Sequence, residues 1–246
     1  MKISTKQKME NRRAILDAAV DLMIEKGFRA MSMRAVARKA GIGDATIYNY
    51  FPTKESLIHG YYLEALETAA DSLERVEDYD SFTLRERLQV LFETMLEGYL
   101  ADREFVDETF SSVFFRPVPA GKGMRAIRAR FLEIVKEQFE AAVESGELPD
   151  MMLKELVYHC IWDYFVAVTL YWLRDDSEQF SNTTVFIDKS LDLGYAMLKA
   201  GVLDKVTGLA SFLFKSHVLS RIEVLMDERD TFSKLKEEFM GHAAER

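Results

Sequence analysis

The sequence predicts an all-α chain, a small three-helix head followed by a larger helical body, and three observations carry that expectation. The 246 residues are 48% hydrophobic, yet no stretch alternates apolar and polar residues with the period of a half-buried strand. Proline stands only at positions 52, 117, 119 and 149, so long tracts are free to run as uninterrupted helix. Between Ser32 and Lys54, a small residue (Ala37), a glycine (Gly41) and a branched apolar residue (Ile47) stand at helix-turn-helix spacing.

The first helix is expected from about Lys6 to Lys26. Ile15, Leu16, Ala19, Leu22 and Met23 form one apolar stripe, and Arg12, Arg13, Asp17, Asp21 and Glu25 lie off it. Gly27 ends this helix, and Phe28 turns back toward the core. Ser32 is the N-cap of the second helix, with Val36, Ala37 and Ala40 inward and Arg34, Arg38 and Lys39 outward. A third helix is expected from Asp44, suited to the positive end of the helix dipole, to about Tyr50. Phe51 closes it, because a residue preceding proline is pushed out of the helical region, and Thr53 caps the next helix with Lys54 and Glu55 in its first turn.

Each motif residue has a steric role. Ala37 is small where two helices touch, Gly41 lets the turn go left-handed, and Ile47 locks the second helix in place. Such a motif lays its second helix in the major groove of DNA. Followed by Tyr48-x-Tyr50-Phe51-Pro52-Thr53-Lys54, the segment resembles the N-terminal domain of the tetracycline-repressor family of one-component bacterial transcription regulators. The resemblance implies a DNA-binding domain over residues 1–52 and an all-helical ligand-binding and dimerisation domain over 53–246. It also implies a phosphate contact for Lys54, at the family's Thr/Ser-Lys-Glu position.

The expected DNA-contacting set is Ser32, Arg34, Gly43, Thr46, Tyr48, Asn49 and Lys54. Arg34, with Arg38 and Lys39 behind it, suits the phosphate backbone, although outside this motif the same residues would read as solvated charge. Thr46, Tyr48 and Asn49 project from the recognition helix; an Asn can read adenine bidentately and a Tyr hydroxyl reaches phosphate. Two positions depart from the family pattern. Gly43 stands where a Ser commonly caps and contacts phosphate, and Asp44 where a basic or neutral residue is common, which weakens the backbone grip at that corner.

Beyond Pro52, helices are expected at 53–77, 83–100, 103–115, 122–146, 150–174, 183–201, 204–227 and 230–243, with breaks at Tyr79–Ser81, Arg116–Gly121, Gly146–Asp150 and Asp175–Ser177. Charge follows the same division. Residues 1–51 hold 10 basic against 5 acidic side chains and the remainder 22 against 36, within a formal net charge of −9. An acidic body behind a basic head directs DNA to the N-terminal face. No charged-then-apolar leader opens the sequence, and the most apolar run, Leu156 to Leu173, is interrupted by His159 and Asp163, so neither secretion nor a membrane span is expected. The single Cys160 excludes an intramolecular disulfide and fits a reducing cytoplasm.

The same run carries His159, Trp162, Asp163, Tyr164 and Trp172, aromatic walls with polar groups among them, the composition of a small-molecule pocket. It reads equally as a core helix whose His159 and Asp163, four residues apart, satisfy each other. Phe110 and Phe114 form a second aromatic cluster before the Pro-rich break, which in the family adjoins the pocket entrance. A largely hydrophobic effector bearing a donor or a positive charge is expected, though the basic run Arg116, Lys122, Arg125, Arg128 and Arg130 leaves an anionic tail conceivable.

Ile187, Leu191, Gly194, Tyr195, Leu198 and Val202 form a stripe expected at a two-fold helical interface, which would pair two heads on a palindromic double-stranded DNA operator. An alternative reading, a metal-binding or hydrolytic enzyme using His159, Cys160 and Asp163, is poor. One helix cannot bring adjacent side chains to one point, and no HExxH or CxxC accompanies them, so neither metal nor cofactor is expected.

Overall fold

A computed structural model describes residues 4–115 and 122–213. Among the described residues, the regular structure is helical: α1 Thr5–Ala30, α2 Met33–Lys39, α3 Ile47–Tyr50, α4 Lys54–Leu73, α5 Leu84–Leu100, α6 Arg103–Phe114, α7 Lys122–Glu144, α8 Lys154–Arg174, α9 Ser181–Lys199 and α10 Val202–Leu213, with 3₁₀ turns at Tyr79–Ser81 and Glu178–Phe180.

In the head, Ser4 caps α1 and Ser32 caps α2, its hydroxyl accepting from the Ala35 N–H at 3.2 Å. The break expected at Gly27 is present as a kink (φ 75°, ψ 160°), after which Phe28 to Ala30 make a further helical turn off the main axis. Ala37, Val36 and Ile47 are each completely buried, and Gly41 takes the left-handed conformation with φ 69°. The third helix is shorter than expected. Asp44 to Thr46 form a turn in which the Thr46 and Ile47 N–H groups both donate to the Gly43 carbonyl, at 2.8 and 3.3 Å. Gly43 has no side-chain oxygen to organise a first α-turn, and Thr46 makes no capping bond.

The helix after the head, α4, opens with a capping box between Thr53 and Ser56 and runs through the centre of the body. It packs most extensively on α5 and α7 and also meets α1 and α6. Tyr61 meets Phe105 edge-on and Tyr62 meets Tyr99 in the same way, while the Tyr62 hydroxyl is 2.8 Å from Thr109 Oγ1. Each such ring pair is worth about 0.5–1.5 kcal/mol beyond burial. α5 starts at a second capping box, Thr83 with Glu86.

α8 is long and apolar enough to cross a bilayer by length and composition, but half of that stretch is buried within this fold. Phe165, for instance, stacks on Phe131 at 5.3 Å and meets Phe92 at 5.2 Å. The turn into α9 is tied by the Asp175 carboxylate, which accepts from the backbone and side chains of Ser177 and Thr183. Those bonds hold its carboxyl well below the usual range. Arg85 of α5 fixes α9 from the side through Asp188 and Asp192.

Two residues of the expected interface stripe belong instead to the core: Ile187 and Leu191 are 1% and 8% exposed. The large apolar side chains that α9 leaves exposed include Val185, Phe186, Leu193 and Met197.

Two compact units are formed. Of the described residues, those up to Leu148 with 154–196 make the first, which contains the head, and Pro149–Leu153 with 197–213 make the second. Within the second, the Met152 N–H donates to Asp204 at 3.3 Å, and Val206, Leu209 and Phe212 of α10 are exposed. The Pro-rich break at 116–121, the helix expected beyond residue 213 and that at 230–243 lie outside the described residues.

Candidate nucleic-acid interface and ligand cavity

The helix-turn-helix leaves a polar outer surface. Ser32, Arg34, Gly43, Tyr48 and Asn49 are all exposed and Thr46 is half-buried, so the residues expected to touch DNA lie on and beside α3. Arg34 is paired with Asp44 at 3.1 Å, both well exposed. An exposed pair of this kind contributes about 0–1 kcal/mol, little enough for a phosphate to displace the carboxylate. The cost of Asp44 at that corner is therefore small. Tyr50 is held by Asn11, whose amide donates to its hydroxyl at 3.1 Å, and Arg12 lies 4.8 Å above the Phe51 ring.

Two lysines are engaged inside the head. Lys39 is clasped by Asp21 and Glu25 at 3.0 and 2.9 Å, pairings that raise its pKa, Glu25 contributing most. Lys54 donates to the carbonyls of Phe28 and Arg29 at 3.2 and 3.3 Å and lies 5.4 Å from the Phe28 ring centroid. It closes the carbonyl end of α1, a favourable place for a cation.

Behind the head is a cavity of about 1080 Å³. Its walls come from five helices: the end of α1 (Met23, Lys26, Gly27, Phe28, Arg29, Ala30), α4 (Glu55, Ile58, His59), α6 (Glu108, Thr109, Ser112, Val113, Phe114), α7 (Met124, Arg125, Arg128) and α8 (Trp162, Asp163). Met23, Ile58, Val113, Phe114, Met124 and Trp162 are apolar; Lys26, Arg29, Arg125 and Arg128 are cationic. Among the described residues, Arg128 makes a hydrogen bond of 3.3 Å between its Nη2 and His159 Nδ1, while its Nε is buried without a partner. An unsatisfied buried donor on a permanent cation costs about 1–3 kcal/mol or more. His59 is half-buried in the wall, and burial lowers its pKa against the opposing pull of Glu55.

The seven residues expected at the ligand site divide three ways. Phe114, Trp162 and Asp163 line the cavity. Phe110, fully buried, stacks on Phe114 from behind at 4.1 Å, and His159 touches Arg128. Tyr164 and Trp172 point elsewhere: Tyr164 bonds Ser190 of α9 at 2.5 Å, and Trp172 is buried under Arg103, 5.4 Å from its ring. His159 and Asp163 do not pair with each other; the Arg128 guanidinium occupies the His159 ring instead.

Sequence reasoning missed the contributions of α1 and His59, and it named Arg128 only within a basic run where an anionic tail was conceivable. The only signal for the first was Gly27-Phe28, where a helix turns its last residues back toward the core. The three-residue enzyme constellation does not converge: Cys160 is exposed, and among the described residues no group of three His, Cys, Asp or Glu side chains is placed to hold a metal ion.

Comparison with known proteins gives matches along most of the chain. The family profile described as bacterial regulatory proteins, tetR family, matches residues 15–61, and that described as tetracyclin repressor-like, C-terminal domain, matches residues 87–213. The fatty acid metabolism regulator protein of Bacillus subtilis is 23% identical over 175 residues, covering 70% of this chain and 89% of that protein. The HTH-type transcriptional repressor KstR of Rhodococcus jostii is 41% identical over 56 residues, 23% of this chain and 26% of the repressor. Among solved structures, the transcriptional regulator FadR from Bacillus subtilis in complex with stearoyl-CoA aligns with TM-score 0.55 at 21% identity, covering 73% of this chain and 96% of that one. A TetR transcriptional regulator from Nitrosomonas europaea aligns with TM-score 0.58 at 20% identity, covering 74% and 96%. These solved chains are thus matched almost whole by part of this one.

Proposed function

The chain belongs to the tetracycline-repressor family, a family of DNA-binding transcription regulators and not of enzymes, and from that premise we propose that it is a dimeric repressor released from a palindromic operator by a small amphipathic ligand. The observation that carries this reading is the cavity behind the head. Its walls come from both the DNA-binding helices and the body, so an occupant bears on the position of the heads. A guest that fits one arrangement better than another shifts the balance between them by its difference in affinity. Two recognition helices must sit about 34–36 Å apart, one DNA turn, to read both half-sites. Moving α4 alters that spacing.

For the ligand, the cavity favours a long apolar chain with an anionic head. Four cations stand against Glu55, Glu108 and Asp163 in the wall, which favours an anionic head over the donor or positive charge expected from Asp163 and His159, and Arg128 is the cation we assign to that head. A regulator of related fold was solved with stearoyl-CoA, a molecule of that kind. The interface between subunits is assigned to the open apolar side of α9, around Phe186, Leu193 and Gly194.

The test uses the purified full chain and a duplex selected from a random library for tight binding. The expected result is binding at two chains per palindrome, release on addition of stearoyl-CoA, and a change in tryptophan fluorescence, since Trp162 lines the cavity. Retention of the duplex at saturating stearoyl-CoA, with fluorescence unchanged, overturns the ligand assignment.

A further inference from the structure

Two neighbouring residues of α4 make contacts that tolerate no side chain on the glycine involved. A Cβ on Gly60 would fall 2.4 Å from Cε1 of Phe51, the residue that ends α3. A Cβ on Gly123, in the first turn of α7, would fall 2.4 Å from Cγ of His59 and 2.6 Å from its Cβ. Position 60 thus faces the end of the recognition helix, and position 59 faces the body.

His59 also borders two spaces. One is the ligand cavity; the other is a hollow of about 370 Å³ lined by Arg12, Tyr50, Phe51, Thr53 and Ser56 under the end of α3. His59 and Gly123 stand in the wall of the hollow, and His59, together with Glu55, stands in the wall of the cavity as well. His59 therefore borders both spaces, its ring set against the backbone of Gly123.

We propose that the His59–Gly123 contact transmits occupation of the ligand cavity to the recognition helix. Seated against the bare backbone of Gly123, the ring keeps clear of Tyr50 and Phe51. A guest pressing on it from the cavity side drives it into the hollow beneath those residues, and α3 shifts. His59 is a positioning residue in this scheme: it acts on DNA affinity through Phe51 and Tyr50, touching no base or phosphate itself. The proposal rests on the ligand-release reading above, but its first test needs no ligand.

Gly123→Ala places a methyl group where the ring sits and mimics the guest. Its affinity for the selected duplex, without added ligand, is expected to fall about tenfold, the size of an ordinary coupling between sites. In the double variant Gly123→Ala with His59→Ala there is no ring to displace, and affinity is expected to return to within about threefold of the wild type, a non-additivity that marks direct coupling. His59→Ala alone should bind the duplex normally and release it poorly even at stearoyl-CoA concentrations that saturate its tryptophan fluorescence change. Circular dichroism melting curves confirm that each variant is folded. Wild-type affinity in Gly123→Ala overturns the proposal. So does a double variant as weak as Gly123→Ala, because the defect then lies in helix spacing and not in the ring. If the wild type itself ignores stearoyl-CoA while the two duplex measurements behave as expected, the ligand assignment fails and the relay stands.

Discussion

The DNA face and the ligand cavity treat their polar groups in opposite ways. On the head, the cations already have partners: Arg34 holds Asp44, Lys39 holds Asp21 and Glu25, and Lys54 holds two backbone carbonyls. Most of these pairs are exposed, so they set side-chain direction at small cost and exchange readily for phosphate oxygens. In the cavity wall, Arg128 keeps a buried donor without a partner among the described residues. The head's cations are already paired, whereas on the proposed reading the cavity's polar groups wait for an occupant. A surface that must slide along any duplex gains from weak, replaceable pairs; a site that must answer one kind of molecule gains from an unmet need.

Four substitutions break or sharpen this contrast, in descending order of effect. Ala37→Leu overpacks the completely buried contact between α2 and α3, at a cost of about 1–3 kcal/mol in a small head. Duplex binding should be lost while tryptophan fluorescence still reports stearoyl-CoA, and a mobility shift retained by the variant would show that DNA binding does not depend on that close packing. Leu193→Glu puts charge on a side chain that is 65% exposed in the single chain, so folding is spared. Light scattering should then find monomers, with operator affinity lower by about 10²-fold through lost linkage; a variant that stays dimeric moves the interface off this face of α9.

Arg128→Gln takes the charge-assisted bond from the ligand head, about 1.5–3 kcal/mol or roughly 10–100-fold in affinity. Its melting temperature should change little, because the glutamine amide leaves a polar group in the same place; unchanged stearoyl-CoA affinity would show that Arg128 does not meet the head group. The smallest effect is that of Arg34→Ala, a few-fold loss shared by cognate and random duplex with the salt-dependence slope reduced by about 0.9. A slope equal to that of the wild type takes Arg34 off the phosphate backbone.

The head was legible in the sequence because its geometry is local. Ala37, Gly41 and Ile47 determine one another within a short stretch of chain, and sterics allow few alternatives to a small residue at a helix crossing or a glycine at φ 69°. Even there, α3 begins at Ile47 and not at Asp44; the missing cap at Gly43 is visible in the sequence, but the loss of a first helical turn that follows from it is not. The cavity is assembled from five helices far apart in the chain, and periodicity along one helix cannot say what stands opposite. Trp162 and Trp172 look equivalent in the sequence, yet the helix places one in the cavity wall and the other beneath Arg103. Ile187 and Leu191 looked like an interface for the same reason, because a buried stripe carries no mark of whether its cover is intramolecular.

The kink at Gly27 has a bearing on how regulators of this kind can be recombined. Because the chain bends there, Phe28 through Ala30 leave the axis of α1 and join Met23, Lys26 and Gly27 in the cavity wall. An exchange of the whole head, made to give the protein a new operator, would therefore replace six residues lining the cavity. Sensing and addressing are not separable cassettes in this molecule. A graft that altered only the outward residues around α3 would redirect the protein while leaving its response intact, whereas a graft of the whole head would change both at once.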